Sequence, residues 1–373
     1  MSEAAVEPHL EGGAGAPVSE VQVHACTIPT DAPESDGTLE WDSTTIVIVE
    51  LEAAGERGLG YTYGDKSVAA FVDSKLRQLV YGADAMAPGA AWTKMQREIR
   101  NAGRPGVGAM AVSAVDIALW DLKARLLGVC LADALPRFRD AAPVYGSGGF
   151  TSYSTAQLTE QLQGWMEAGL PRVKIKVGRD PGRDPGRLAL CREAIGAGVE
   201  LMVDANGAFS PKQALEQAAV YAGYGVSYLE EPVSSEDREG LAFVRDHGPA
   251  GMAIAAGEYE WDLVRLGDLA GRVDVLQADV TRVGGVSAML RADGICKALQ
   301  RPFSAHCAPA VSAHVCCAME TARHLEYFHD HVRVERMLFE GTLDPGGGAL
   351  EPNRSRPGLG LELRYDEAER WAA

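Results

Sequence analysis

Apolar and polar positions along this chain follow two regimes. From about Val21 to Pro143 the pattern is mixed. Thr44-Thr45-Ile46-Val47-Ile48-Val49 is a β-branched run that predicts a strand, and Gly58-Leu59-Gly60 predicts a turn before another short strand. Ala111, Val115, Ala118, Leu119, Leu122 and Leu126 then recur at helical spacing, and Gly128 closes the predicted helix. Strands followed by a helix predict a small α+β domain.

From Pro143 onward the pattern becomes regular. Short apolar runs begin near Val144, Val173, Leu201, Tyr228, Ala253, Val275, Phe303 and His324, at intervals of roughly 25 residues. Helical stretches lie between them, one capped by Ser210 with Pro211 at its first position and Gln213 completing a capping box. This rhythm predicts a parallel (β/α) barrel; an open doubly wound sheet would also supply eight strands, with a ligand at one switch point. The strand ends discriminate. In Val173-Lys174-Ile175-Lys176-Val177 the aliphatic residues share one face and the lysines the other, so aliphatics against the helices send both lysines inward. Later strands end in Asp204 and Asn206, Glu230, Glu258, Gln277 and Asp279, Ser304 and His306, and Glu326. A buried, unpaired charge costs several kcal/mol, so such a set must neutralise itself or bind something. The C-terminal ends of barrel strands are where active sites sit.

Composition narrows the classes. The 373 residues carry 35 Lys+Arg against 52 Asp+Glu, a net charge of −17, and 46% are hydrophobic. Wholesale disorder is excluded, and an acidic surface argues against nucleic acid or an anionic membrane as partner. The opening MSEAAVEPHLEGGAGAP has neither a basic nor an apolar region and reads as a flexible tail. The uncharged stretch from Pro302 to Met319 holds two prolines, two histidines and two serines, which makes it a poor membrane span. Seven scattered cysteines without a Cys-x-x-Cys suggest neither a disulfide framework nor a structural zinc site, and fit a reduced, cytoplasmic setting.

Three carboxylates on consecutive strands, Asp204, Glu230 and Glu258, repel one another and call for a cation. An all-oxygen set favours Mg²⁺, with Mn²⁺ second. Lys174 and Lys176 on the preceding strand are candidate bases, each expected to depress the other's pKa. Asp279 is placed to orient His306 as a second base, and Glu326 to act as a protonated hydrogen-bond donor to a substrate carboxylate. This arrangement suits abstraction of a proton α to a carboxylate.

These residues resemble the enolase superfamily, specifically its mandelate racemase-like subgroup. The resemblance runs from about Val21 to Leu363. It rests on Ser113-Ala114-Val115-Asp116-Ile117-Ala118-Leu119-Trp120-Asp121-Leu122-Lys123, Lys174-Ile175-Lys176, Val203-Asp204-Ala205-Asn206 and Leu229-Glu230-Glu231-Pro232. Gly257-Glu258, Asp279 with Gly284-Gly285, Ser304-Ala305-His306 and Leu325-Glu326 complete it. It implies a modified TIM barrel, (β/α)₇β, with an α+β capping domain. The expected divisions are a tail at 1–17, the cap at 18–142, the barrel at 143–345 and a C-terminal segment at 346–373 that returns to the cap. It also implies Asp204, Glu230 and Glu258 as metal ligands, Lys176 as one base with Lys174 on the substrate carboxylate, Asp279 and His306 as the other base, and Glu326 as the electrophilic acid. Asn206 and Arg282 are expected to line the substrate site. Asp279 stands where muconate-lactonising relatives carry a lysine. The implied reaction is Mg²⁺-dependent dehydration of an aldonate or aldarate to a 2-keto-3-deoxy acid. Racemisation of a 2-hydroxy acid is the alternative, and a catalytically silent carboxylate-binding barrel the alternative from another class. Substrate choice is expected in cap loops at 30–41 and 60–64; the first holds no arginine, which favours a monoacid. Relatives of this kind are commonly homo-oligomers.

Overall fold

Three antiparallel strands, β1 (Glu20–Ser35), β2 (Glu40–Ala53) and β3 (Glu56–Tyr63), open the cap in the order β1-β2-β3. The computed structural model describes residues 15–373, so 1–14 of the segment read as a tail lie outside them. The β-branched run 44–49 lies within β2. Gly58 and Gly60, expected in a turn, instead lie inside β3, and the turn is at Ala54 and Gly55, both with positive φ. The glycines serve packing. The helix Val107–Leu126 lies so close that a Cβ on Gly60 would sit 2.2 Å from the Ala114 carbonyl oxygen, and one on Gly58 2.4 Å from that of Ala118.

Eight parallel strands follow: β4 (Ala142–Gly148), β5 (Arg172–Lys176), β6 (Glu200–Asp204), β7 (Val226–Glu230), β8 (Ala253–Ala256), β9 (Val275–Asp279), β10 (Phe303–His306) and β11 (Ala322–Phe328). Each pairs with the next, and β11 pairs with β4, so the sheet closes; the short strand Ala349–Leu350 adds antiparallel to the outer start of β4. A helix follows each of the first seven barrel strands, as the (β/α)₇β expectation has it, and the helix His329–Leu338 follows the eighth. All eight apolar runs read from the sequence fall within these strands. Pro211 opens its helix as expected, and Gln213 Oε1 accepts from Ser210 N at 3.1 Å.

Alternation sorts the barrel interior by height. Tyr145, Met202, Tyr228, Ala255 and Val275 form an apolar floor. His324 packs there edge-on to Tyr145, with its Nδ1 3.0 Å from Ser304 Oγ, as a packed rather than a reacting histidine. Above the floor the interior is polar. The cap is fastened over that end by the Val107–Leu126 helix: Ser113 Oγ accepts from Gly284 N at 2.9 Å, Asp116 Oδ2 accepts from Ser287 N at 2.8 Å, and Trp120 Nε1 donates to Ser287 Oγ at 2.9 Å. Asp121 is wholly buried, accepting from Leu59 N and Leu359 N at 2.7 and 2.5 Å. The chain's end lies on the cap sheet, where Thr27 N donates to the Trp371 carbonyl at 2.9 Å.

Gly257, between β8 and Glu258, has φ +136, and a Cβ there would lie 1.9 Å from the Gln277 carbonyl oxygen. Gly257→Ala should therefore destabilise the protein by about 2 kcal/mol or more in urea unfolding; a loss below about 0.5 kcal/mol would contradict this packing.

Candidate active site

Parallel register brings the strand ends level. Lys176 on β5 pairs in register with Asp204 on β6, Asp204 with Glu230 on β7, and Asp279 on β9 with His306 on β10. Glu258 follows β8 after Gly257, and Glu326 lies opposite Tyr145 across the closing pair. Every one of these site residues is buried. One oxygen each of Asp204, Glu230 and Glu258 lie within 4.8 Å of one another. Burial, opposed by Lys174 and helped by the other carboxylates, pushes Glu230 up to about 8. Glu258 Oε2 is buried and pairs with His306 Nε2, 2.7 Å away. Three buried carboxylates this close, with no nitrogen or sulfur among them, are a donor set that fits a hard divalent cation.

The lysines do not behave as a mutually depressed pair. Lys174 Nζ lies 2.6 Å from Glu230 Oε1, 2.8 Å from Glu326 Oε1 and 3.8 Å from Asp204 Oδ2, and Lys176 Nζ donates to Asp204 Oδ2 at 2.5 Å. Burial opposes each charge, but the carboxylates override it and hold both pKa values above the ordinary lysine range. Glu326 is drawn the other way: burial favours its acid form, but Lys174 and His306 pull its pKa below the usual carboxylate range, and it accepts from Ser147 Oγ at 2.5 Å and Cys307 N at 3.3 Å. The Asp279–His306 pair forms as expected: Nδ1 lies 2.7 Å from Asp279 Oδ2, while Oδ1 accepts from Thr281 N at 2.6 Å. Burial disfavours the imidazolium, but the surrounding Cys307, Glu258, Glu326 and Asp279 raise its pKa well above the usual value.

A cavity of about 430 Å³ opens above this floor, lined by Lys176, Asn206, Glu258, Arg282 and His306 from the barrel and by cap residues including Asp36, Trp41 and Tyr63. Lys174, Asp204, Glu230 and Glu326 lie beneath its surface, fully buried. Asn206, at φ +46, donates through Nδ2 to Glu258 Oε1 at 3.2 Å, and its Oδ1 is buried without a partner. Arg282 donates to the Glu258 carbonyl at 3.2 Å and reaches the cavity wall. Residues 30–41, expected as a loop, lie mostly in β1 and β2, and Arg282 places a guanidinium at the cavity wall from the barrel side.

Sequence reading passed over three residues that touch the site, Tyr145, Ser147 and Cys307, and gave a fourth, Gln277, an inward place but no role. Tyr145 OH lies 3.4 Å from Lys174 Nζ, Gln277 Nε2 donates to Glu230 Oε2 at 3.1 Å, Ser147 holds Glu326, and Cys307 Sγ lies 3.3 Å from both His306 Nε2 and Glu326 Oε2. Gln277 carried a signal, sharing an inward face with Asp279; a single Ser, Cys or Tyr in an apolar strand carries none.

Two family models match: the N-terminal domain of mandelate racemase/muconate lactonizing enzyme over residues 21–135, and the enolase C-terminal domain-like model over 157–368. The chain belongs to this family of the enolase superfamily. It is similar to the 3,6-anhydro-alpha-L-galactonate cycloisomerase of Streptomyces coelicolor, 30% identical over 354 residues, covering 92% of this chain and 96% of the relative. It is similar also to the L-talarate/galactarate dehydratase of Salmonella typhimurium, 28% identical over 368 residues, covering 94% and 90%. The crystal structure of that enzyme liganded with Mg and L-lyxarohydroxamate superposes with a TM-score of 0.89, at 26% identity, over 100% of this chain and 97% of the other. A mandelate racemase/muconate lactonizing enzyme-like protein from Rubrobacter xylanophilus is 67% identical, with a TM-score of 0.95 over 96% and 100%.

Lys174 carries the buried positive charge shared by three carboxylates. Lys174→Met should lower stability by about 3–5 kcal/mol in urea unfolding with chelator present. A change below about 1 kcal/mol would show that the carboxylates neutralise one another by sharing protons.

Proposed function

We propose that this protein removes the proton α to the carboxylate of an acid sugar and expels the β-hydroxyl, giving a 2-keto-3-deoxy acid. The observation that carries this reading is the cavity itself: Lys176 and His306 both line it, on strands β5 and β10 across the barrel, with Glu258 between them. A substrate α-carbon in that space has an amine toward one face and an imidazole toward the other. The hydroxyl-bearing cap wall of Ser43, Thr44, Thr45 and Tyr63 suits a polyol chain.

Asp204, Glu230 and Glu258 are the residues that would hold Mg²⁺, the ion with which the Salmonella relative is liganded. The ion, when bound, neutralises the carboxylates that keep Lys176 and His306 protonated and stabilises negative charge building on the substrate carboxylate. Lys174 contributes its buried ammonium to that carboxylate, and Arg282 a guanidinium at the wall. In the dehydration, the C2–H bond breaks toward one base. The C3–O bond then breaks as the opposite base, now an acid, protonates the departing hydroxyl, so water leaves. The resulting enol takes up a proton at C3 as it ketonises. Asp279 keeps the proton on His306 Nδ1, which directs Nε2 at the substrate.

The 30% identical cycloisomerase supports a second reading at the same site. If the β-oxygen belongs to a ring, the same elimination opens the ring and the product keeps the substrate's mass.

Incubation of acid sugars in D₂O, followed by mass spectrometry and semicarbazide trapping, separates the outcomes. Dehydration gives a trapped 2-keto acid lighter by one water but carrying a deuterium at C3, ring opening one heavier only by that deuterium, and racemisation α-deuterium without a keto acid. Exchange should vanish with EDTA and return with Mg²⁺. Lys176→Ala and His306→Asn should each abolish exchange at one face, with kcat falling about 10²–10⁴-fold. Undiminished exchange in both variants would overturn the two-base reading.

A further inference from the structure

We propose that Asp31, Glu34 and His329 form a second divalent-cation site, separate from the catalytic cluster, that clips the cap to the barrel and takes a transition cation of the Zn²⁺ type. The three residues come from both bodies: Asp31 and Glu34 from β1 of the cap, His329 from the helix that begins directly after β11. One ligand atom of each lies within 4.8 Å of the others, and His329 Nε2 is 2.9 Å from Asp31 Oδ2.

The independent mark of a ligand is Glu34. This carboxyl is fully buried. Trp41 Nε1 occupies its Oε2 at 2.8 Å, and Oε1 has no hydrogen-bond partner. A buried acceptor left unmet is destabilising unless something arrives to meet it. The surroundings are short of positive charge. Asp330 adds a third carboxylate, and the nearby Arg333 is already committed to Asp330 Oδ1 and the Pro29 carbonyl, each at 2.7 Å.

Access and chemistry agree. Asp31 and His329 are partly exposed and open onto a groove of about 600 Å³, giving an ion an entry path and room for water ligands. An imidazole nitrogen with two carboxylates suits Zn²⁺ and discriminates against Mg²⁺, the reverse of the all-oxygen cluster in the barrel. The link to function runs through Trp41, which bonds Glu34, packs edge-on to Phe150 at 5.7 Å and forms part of the active-site cavity wall. A filled clip would steady that wall, so it should act on KM more than on kcat.

The test is calorimetric titration of ZnCl₂ into chelator-stripped full-length protein held in saturating Mg²⁺. The parent should bind zinc with a rise in melting temperature. His329→Asn, at a partly exposed position, and Glu34→Gln should each weaken it at least about tenfold while leaving the metal-free melting temperature near the parent's. Glu258→Gln should leave it unchanged, which separates this site from the catalytic one. Zinc affinity equal in parent and His329→Asn, or no zinc bound under saturating Mg²⁺, would overturn the proposal. Should Glu34→Gln not fold, His329→Asn decides alone.

Discussion

Negative charge buried in the upper half of the barrel governs this structure. Asp204, Glu230, Glu258, Asp279 and Glu326 are all nearly solvent-free, and an unmatched carboxylate at such depth is untenable. Lys174, Lys176 and His306 are therefore held among them as cations, and each lies within 2.7 Å of a carboxylate oxygen. The groups suited to move protons are thus the same groups that make the carboxylate cluster foldable. Occupation of that cluster by a divalent ion changes their protonation and the site's charge balance together.

The rest of the fold serves this constraint by excluding water and fixing geometry. The apolar floor of Tyr145, Met202 and Tyr228 closes the barrel below. The cap closes it above, through the Gly284 amide of the loop after β9 and the Ser287 amide of the helix that follows, which bond Ser113 and Asp116 of the cap helix. Asp279 lies at the end of that same strand, so cap attachment and orientation of His306 share one segment. Gly257 lets β8 pass close to β9, which brings Glu258 level with its partners.

Much of this was legible in the sequence because parallel strands have a two-residue period and end at one rim. Alternation alone placed Lys174 and Lys176 inward, and strand order put the three carboxylates together. What alternation cannot convey is which charges meet across the rim. Two lysines two residues apart read as mutual repulsion until Glu230, Glu326 and Asp204 close around them. Glu326 read as an acid until Lys174 was seen beside it. Gly58 and Gly60 read as a turn because their real requirement, a helix backbone pressed on β3, is contributed by residues more than fifty positions further on. Glu34 lay in a segment read only for substrate choice; its neighbours are Trp41 of β2 and His329 of the helix after β11, nearly 300 residues further on.

The central claim is that three carboxylates from adjacent strands grip one divalent ion. Calorimetric titration of Mg²⁺ into the chelator-stripped protein tests it most directly, comparing the parent with Asp204→Asn, Glu230→Gln and Glu258→Gln. The account predicts one equivalent bound by the parent and at least about tenfold weaker binding in every variant. Binding of Mg²⁺ by all three variants as tightly as by the parent would contradict it.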